Sequence, residues 1–158
     1  MHNQIGKFSG QIDTPLVEEG IEQARKSAEV LKTYNIDAIV SSPLQRAHDT
    51  ARIVAKIIGY PEDRIEVSSL LLERNFGILE GTPYQPGIVF DDVEGAESLE
   101  ELVERAKKSL EWLRNIKANN ILLVSHGSYG RALNVVLSDD IKSFNKIKFH
   151  NAEVIELL

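Results

Sequence analysis

Residues 121–130 read Ile-Leu-Leu-Val-Ser-His-Gly-Ser-Tyr-Gly, which is the pattern of a buried strand running into a helix. Ile121–Val124 predict the strand, and a helix is expected from about Tyr129. His126 would then stand at the carboxyl end of a strand, where open α/β sheets bind their ligands. The helix would offer free N–H groups to an anion, and Gly127 would allow close backbone approach. A lone histidine there is more often structural, so this stretch alone leaves its role open.

The composition limits the class of protein. The chain has 158 residues, of which 42% are hydrophobic, with no shift in composition, and this predicts one domain over residues 1–158. The absence of cysteine excludes disulfides and thiolate chemistry. No apolar run is long enough to span a bilayer, so we expect a cytoplasmic protein without membrane contact. The net charge of −6 argues against a nucleic-acid partner.

Helix and strand patterns alternate along the chain. Helices are predicted over residues 18–33, 43–58, 99–113 and 129–137. Strands are predicted over residues 36–40, 65–72, 121–124 and 154–157. Ser42 and Pro43 are the expected cap and first turn of the second helix, and Ser98 with Glu101 has the spacing of a capping box. The alternation predicts an α/β fold, a three-layer α/β/α sandwich with a mostly parallel sheet.

Three polar residues of complementary kinds follow the ends of three predicted strands. Arg46 follows the first, Glu73 the second and His126 the third, and parallel strands would bring these ends together. An arginine can clamp phosphate oxygens, a histidine can act as donor or nucleophile, and a carboxylic acid can protonate a leaving oxygen. Ordinary roles stay open at this point. Arg46 could pair with Asp49, and Glu73 could be a solvated loop residue.

Several motifs, in order along nearly the whole chain, resemble those of the histidine phosphatase superfamily, which includes cofactor-dependent phosphoglycerate mutases. They are Gly10–Leu16, Ser41–Ala47, Leu72–Gly77, Gly95–Ser98 and Ser125–Gly127. The irregular segment 81–96 is expected to lie over the site, because long loops of this kind carry specificity.

The resemblance implies a phosphomonoester hydrolase that forms a phosphohistidine, with no metal or cofactor, and that acts on a small phosphorylated metabolite. In this sequence Arg46 would clamp phosphate oxygens, His126 would stabilise the transferring group, and Glu73 would donate and accept the proton. Asn3 would correspond to the phosphate-contacting asparagine of the family, and Gly127 would lie against the bound phosphate.

One family motif is not found in these 158 residues. The nucleophile of the family belongs to an Arg-His-Gly motif that ends its first strand, and the sequence contains no such motif. Alignment on Gly10–Leu16 leaves His2 in the loop after the nucleophile, so His2 is not expected to replace it. We therefore expect a fold in which that first strand is missing, and negligible turnover by this chain.

The missing strand has consequences for assembly and for function. In the family it lies beside the strand that carries His126, so its absence would leave an open edge that a second copy in a homodimer could cover. Two alternatives to a hydrolase stay open. One is an inactive protein that binds a phosphoanion or a partner, and the other is a phosphoglycerate mutase.

Overall fold

The computed structural model describes residues 6–157, in which four helices and three strands form the framework. The helices are α1 (Glu18–Leu31), α2 (Gln45–Ile58), α3 (Leu99–Arg114) and α4 (Gly127–Ser138). The strands are β1 (Ala38–Ser41), β2 (Glu66–Val67) and β3 (Ile121–Val124). None of the helices in residues 6–157 is long and apolar enough to cross a membrane.

The three strands are parallel and lie in the order β2-β1-β3. In the central strand β1 all four residues are buried. Its register pairs Ala38 with Ile121 and Ser41 with Val124 on one side, and Val40 with Glu66 on the other. The parallel α/β fold is therefore confirmed. Because the strands run in one direction, their carboxyl ends meet at one edge of the sheet.

Helices cover both faces of the sheet, which gives the predicted three layers. Successive strand residues point to opposite faces. Ile39 accordingly packs with Ala51 of α2. Its neighbour Val40 packs on the other face with Leu102 of α3 and Leu133 of α4.

The predicted strand over residues 154–157 is wrong. The residues form no strand, although Val154 packs beside Leu122 against the α1 side of the core. A strand requires backbone pairing with a neighbour, and within residues 6–157 no strand pairs with the outer edge of β3. The predicted strand over residues 65–72 is also too long. Only Glu66–Val67 pair, and Ser69–Leu71 turn into a 3-10 helix.

The prediction that Ser42 caps α2 and Pro43 lies in its first turn is wrong, because the N-cap residue is Leu44 and the helix begins at Gln45, whereas the predicted start of α3 is confirmed. Asp13 Oδ1 accepts the N–H of Gln45 at 2.7 Å, so a residue distant in sequence serves the first turn of α2. Ser98 and Glu101 form the predicted capping box at α3. The difference arises because the capping box is complete within four consecutive residues, whereas α2 begins beside a segment from another part of the chain.

Candidate active site

The three strand-end residues come together at the carboxyl edge of the sheet. Arg46 lies in the first turn of α2, Glu73 follows the 3-10 turn after β2, and His126 immediately precedes α4. Arg46 lies within electrostatic range of both other groups: burial lowers the pKa of Arg46 and the Glu73 carboxylate opposes that shift, while burial and then the charge of Arg46 lower the pKa of His126. The parallel order of the strands thus produces the grouping that the sequence predicts.

His126 is neutral at this site. Burial, followed by the charges of Arg46 and Arg105, lowers the pKa of its imidazole from 6.5 to about 3. Its Nε2 lies 2.8 Å from Ser42 Oγ, which also accepts the N–H of Leu44 at 3.3 Å. The Ser42 hydroxyl has no other acceptor in residues 6–157, so it donates to Nε2, and the single imidazole proton lies on Nδ1. His126 can then offer one N–H donor.

Arg46 is fixed by backbone carbonyls and not by a carboxylate on its own helix. Its Nη1 donates to the carbonyl of Ile12 at 2.9 Å and its Nη2 to the carbonyl of Gly10 at 2.8 Å. Asp49, the alternative partner, lies 3.9 Å from Arg52. Burial lowers the pKa of Arg46, and nearby carboxylates oppose that shift. Two of its five N–H donors are occupied by these bonds, which leaves others for an anion.

Glu73 is not a solvated loop residue, because its carboxylate closes the first turn of α4. Oε1 accepts the N–H of Arg74 at 2.8 Å, of Ser128 at 3.1 Å and of Tyr129 at 3.2 Å. The helix amides expected to meet a phosphate therefore already hold a carboxylate. Gly127 is exposed, and its amide, the first of α4, does not donate a hydrogen bond to Glu73.

A segment that we call the strap, residues 8–14, crosses the site and holds Arg46. Its backbone is anchored where Glu80 Oε1 accepts the N–H of Gln11 at 2.8 Å. Gly10 has φ +50°, and a Cβ at this position would lie 2.0 Å from Glu80 Oε1, so the strap requires glycine there. The Gln11 side chain donates to the carbonyl of Glu73 at 3.1 Å. The strap thus connects Arg46 to Glu73.

Sequence reasoning missed Arg105, which fixes the segment before Glu73. Its Nη1 donates to the carbonyls of Leu70 at 2.9 Å and Leu72 at 2.8 Å. Its Nε and Nη2 each lie 2.7 Å from a carboxylate oxygen of Glu97, which makes a bidentate pair. No signal in the sequence distinguishes Arg105 from other charged positions of α3.

The predicted substrate contact Asn3, like His2, lies outside the described residues. The segment 81–96 is irregular as predicted, with one 3-10 turn at Phe90–Asp92. It is attached to the strap by a backbone bond from Phe8 to Thr82 and by ring contacts of Phe8 with Tyr84 and Phe90.

Comparison with known proteins identifies the family. The model of the histidine phosphatase superfamily (branch 1) matches residues 1–158, and the chain belongs to this family.

Two relatives and two solved structures illustrate the similarity. The uncharacterized phosphatase PhoE of Bacillus subtilis is 31% identical over 153 residues, which are 92% of this chain and 76% of that protein. The metal-independent phosphoserine phosphatase of Arabidopsis thaliana is 35% identical over 148 residues, which are 83% of this chain and 61% of that protein. The structure of a mycobacterial glucosyl-3-phosphoglycerate phosphatase superposes with a TM-score of 0.81 at 26% identity, covering 94% of this chain and 80% of that one. Another, mycobacterial hydrolase 1, gives a TM-score of 0.84 at 26% identity, covering 95% and 82%.

Proposed function

We propose that the chain carries a phosphomonoester hydrolase site of the histidine phosphatase kind, in which Arg46 and His126 bind the phosphate group and Glu73 exchanges the proton. The observation that carries the proposal is the single cluster of these three groups, with the guanidinium of Arg46 already oriented by two carbonyls. The relatives named as phosphatases support it.

Each group suits one part of a two-step transfer. In the first step an imidazole nitrogen bonds to phosphorus as the ester oxygen leaves with a proton from Glu73. In the second step water would attack phosphorus, the phosphorus–nitrogen bond would break and free the imidazole, and the water would pass a proton to the Glu73 carboxylate. Arg46 and the Nδ1 proton of His126 would bind the phosphoryl oxygens, whose charge must be stabilised throughout.

His126 fits the stabilising role and not that of nucleophile. The nitrogen that could attack, Nε2, is occupied by the hydroxyl of Ser42 at 2.8 Å. The Arg-His-Gly motif that supplies the nucleophile in the family does not occur in these 158 residues. We therefore propose that the 158 residues alone bind a phosphomonoester without turning it over. The occupied Nε2 of His126 and the absence of Arg-His-Gly from these 158 residues favour the second candidate, a phosphoanion-binding protein.

Binding of inorganic phosphate, measured by calorimetry, tests the site. Arg46→Ala should weaken it by ~1.5–3 kcal/mol, the range for hydrogen bonds to charged groups. Arg52→Ala is the matched control, because Arg52 lies on the same helix but is exposed and pairs with Glu62. Unchanged phosphate affinity in a folded Arg46→Ala protein would overturn the proposal. A hydrolase would release phosphate from p-nitrophenyl phosphate, whereas a phosphoanion-binding protein would not.

A further inference from the structure

Glu73, the proton-exchanging residue of the proposed site, lies on backbone without regular secondary structure. Residues 72–75 belong to no helix or strand and lie between the 3-10 turns Ser69–Leu71 and Gly77–Leu79. The hydrogen-bond ladders that fix most backbone are therefore absent around Glu73. Its carboxylate is nevertheless held at the first turn of α4, where Oε1 accepts the N–H of Ser128 at 3.1 Å. Side chains from other elements have to fix this position.

Arg105 of α3 holds the backbone on the N-terminal side of Glu73. Its Nη1 donates to the carbonyls of Leu70 and Leu72 at 2.9 and 2.8 Å. Its Nη2 donates to the carbonyl of Glu73 itself at 3.4 Å. Three carbonyls thus converge on one guanidinium, whose planar fork presents its N–H groups in fixed directions.

Glu97 holds the backbone on the C-terminal side of Glu73. Its carbonyl accepts the Nε–H of Arg74 at 2.7 Å, and its N–H donates to the carbonyl of Asn75 at 2.9 Å. Its side-chain Oε2 accepts the N–H of Asn75 at 3.3 Å. Both residues that follow Glu73 are thus attached to Glu97.

The two anchors form one unit, because the side chains of Arg105 and Glu97 bind each other. Both nitrogen–oxygen distances of their bidentate pair are 2.7 Å, and the side chains are only 17% and 14% exposed. A pair of this kind fixes direction as well as distance, and at this burial each charge needs the other. The pair therefore spans the loop and grips it on both sides of Glu73.

We propose that Glu97 and Arg105 are positioning residues, which hold the backbone on both sides of Glu73 so that its carboxylate stays at the cluster with Arg46 and His126. This inference rests on the proposed function, in which Glu73 exchanges the proton. Proton transfer requires the carboxyl group within hydrogen-bond reach of the reacting oxygen, and a misplacement of about 1 Å can cost on the order of a hundredfold in rate. Both residues act through Glu73.

Amide hydrogen exchange, followed by NMR on the 158-residue protein, reports the position of the Glu73 carboxylate, because that carboxylate accepts the amides of Ser128 and Tyr129. Arg105→Lys keeps the positive charge but loses the fork that meets three carbonyls and a carboxylate. We expect these two amides to exchange about tenfold faster or more, as for the loss of a charged hydrogen bond. The amide of Leu133, inside α4, should change much less.

Glu97→Gln tests the other half of the pair. The glutamine keeps an acceptor oxygen for the N–H of Asn75 but loses the charge that holds the guanidinium, so the same two amides of α4 should again exchange faster. The matched controls are Arg114→Lys and Glu104→Gln, since both residues lie on α3 and are exposed. Neither control should change the exchange of these amides.

Two outcomes would overturn the inference. One is unchanged exchange of the Ser128 and Tyr129 amides in either Arg105→Lys or Glu97→Gln. The other is acceleration of Leu133 by the same factor, which would show that the pair only stabilises the packing of α3 and α4. Failure of the proposed function has a different signature, namely no phosphate binding by the parent protein.

Discussion

The neutral state of His126 depends on the groups that surround its ring. The imidazole of His126 is partly buried, this burial is the main cause of its lowered pKa, and the charges of Arg46 and Arg105 further disfavour its protonation. Its contact with Ser42 then determines which nitrogen carries the proton. A neutral ring donates a hydrogen bond without adding charge, so in the proposed site Arg46 would supply the positive charge for a phosphate. The division of roles between the two residues follows from burial.

The lowered pKa of His126 predicts that pH changes stability. The folded pKa is about 3 and the ordinary value is 6.5, so between these values the unfolded chain binds the extra proton. The contribution to stability is present above the ordinary pKa and is lost as the pH falls toward the folded pKa, by up to ~1.4 kcal/mol per pH unit. His126→Asn should remove this dependence. Urea unfolding of both proteins between about pH 6.5 and pH 5 measures it, and parallel curves would contradict it.

Gly10 is predicted to be necessary for the phosphate clamp. In Gly10→Ala the new methyl group would collide with Glu80 Oε1, and Glu80 cannot easily move because it also accepts the amides of Gln11 and Phe76. Displacement of the strap should weaken phosphate binding through Arg46. Gly87→Ala is the control, since Gly87 also has positive φ, +80°, with nothing within 4 Å. Gly87→Ala should lower the free energy of unfolding by roughly 1–2 kcal/mol through backbone strain and leave phosphate binding unchanged. Equal losses of phosphate affinity in the two variants, measured by calorimetry, would refute the argument.

At the scale of elements, α4 depends on a carboxylate from another part of the chain. Glu73 satisfies the amides of Ser128 and Tyr129 and places a negative charge at the positive end of the helix. We expect Glu73→Gln to lower the free energy of unfolding by ~1.5–3 kcal/mol. Glu100→Gln, in the first turn of α3, should change it by only ~0.3–1 kcal/mol. Thermal or urea unfolding measures both, and an equally small effect of Glu73→Gln would show that the cap is unimportant.

The outer edge of β3 has no strand partner in the described part of the chain. The carbonyls of Asn120 and Val124 accept N–H groups from the β1 side of the strand. The alternation of a parallel ladder turns the backbone groups of Ile121 and Leu123 the other way. Within residues 6–157 no strand pairs with them. The apolar side chains of β3 are half-buried, in contrast to the fully buried residues of β1.

At the scale of the whole molecule, we expect that one added strand would both pair with this edge of β3 and supply the Arg-His-Gly motif. A chain extended at its N-terminus by a family-like strand that ends in Arg-His-Gly should melt at a higher temperature. The new strand would pair with backbone groups whose burial without partners costs ~1–3 kcal/mol each. It should also acquire phosphatase turnover, and release phosphate faster than it interconverts phosphoglycerates. Equal melting temperatures and equal rates for the two chains would show that the strand and its histidine are dispensable.

The elements of this protein, and the three residues at the centre of its site, could be predicted from sequence. The helical periodicity of α1 to α4, the capping box of α3 and the apolar strands β1 and β3 are each complete within a short stretch of chain. Arg46, Glu73 and His126 stood out because each follows a strand end, and parallel strands put their ends together. The periodicities and the capping box are local, so they can be recognised without knowledge of the tertiary structure.

The parts that sequence reasoning missed or misplaced depend on contacts between distant residues. Arg46 bonds to a carbonyl 36 positions away, and Glu73 bonds to an amide 55 positions away. The predicted strand at residues 154–157 failed for the same reason, since a strand exists only where a partner edge is available. The sequence by itself determined the four helices, the two apolar strands β1 and β3, and the three polar residues that follow the strand ends. Only the tertiary structure decided what each of those side chains binds, because a hydrogen bond between distant segments is specified by their packing and not by any pattern in either one.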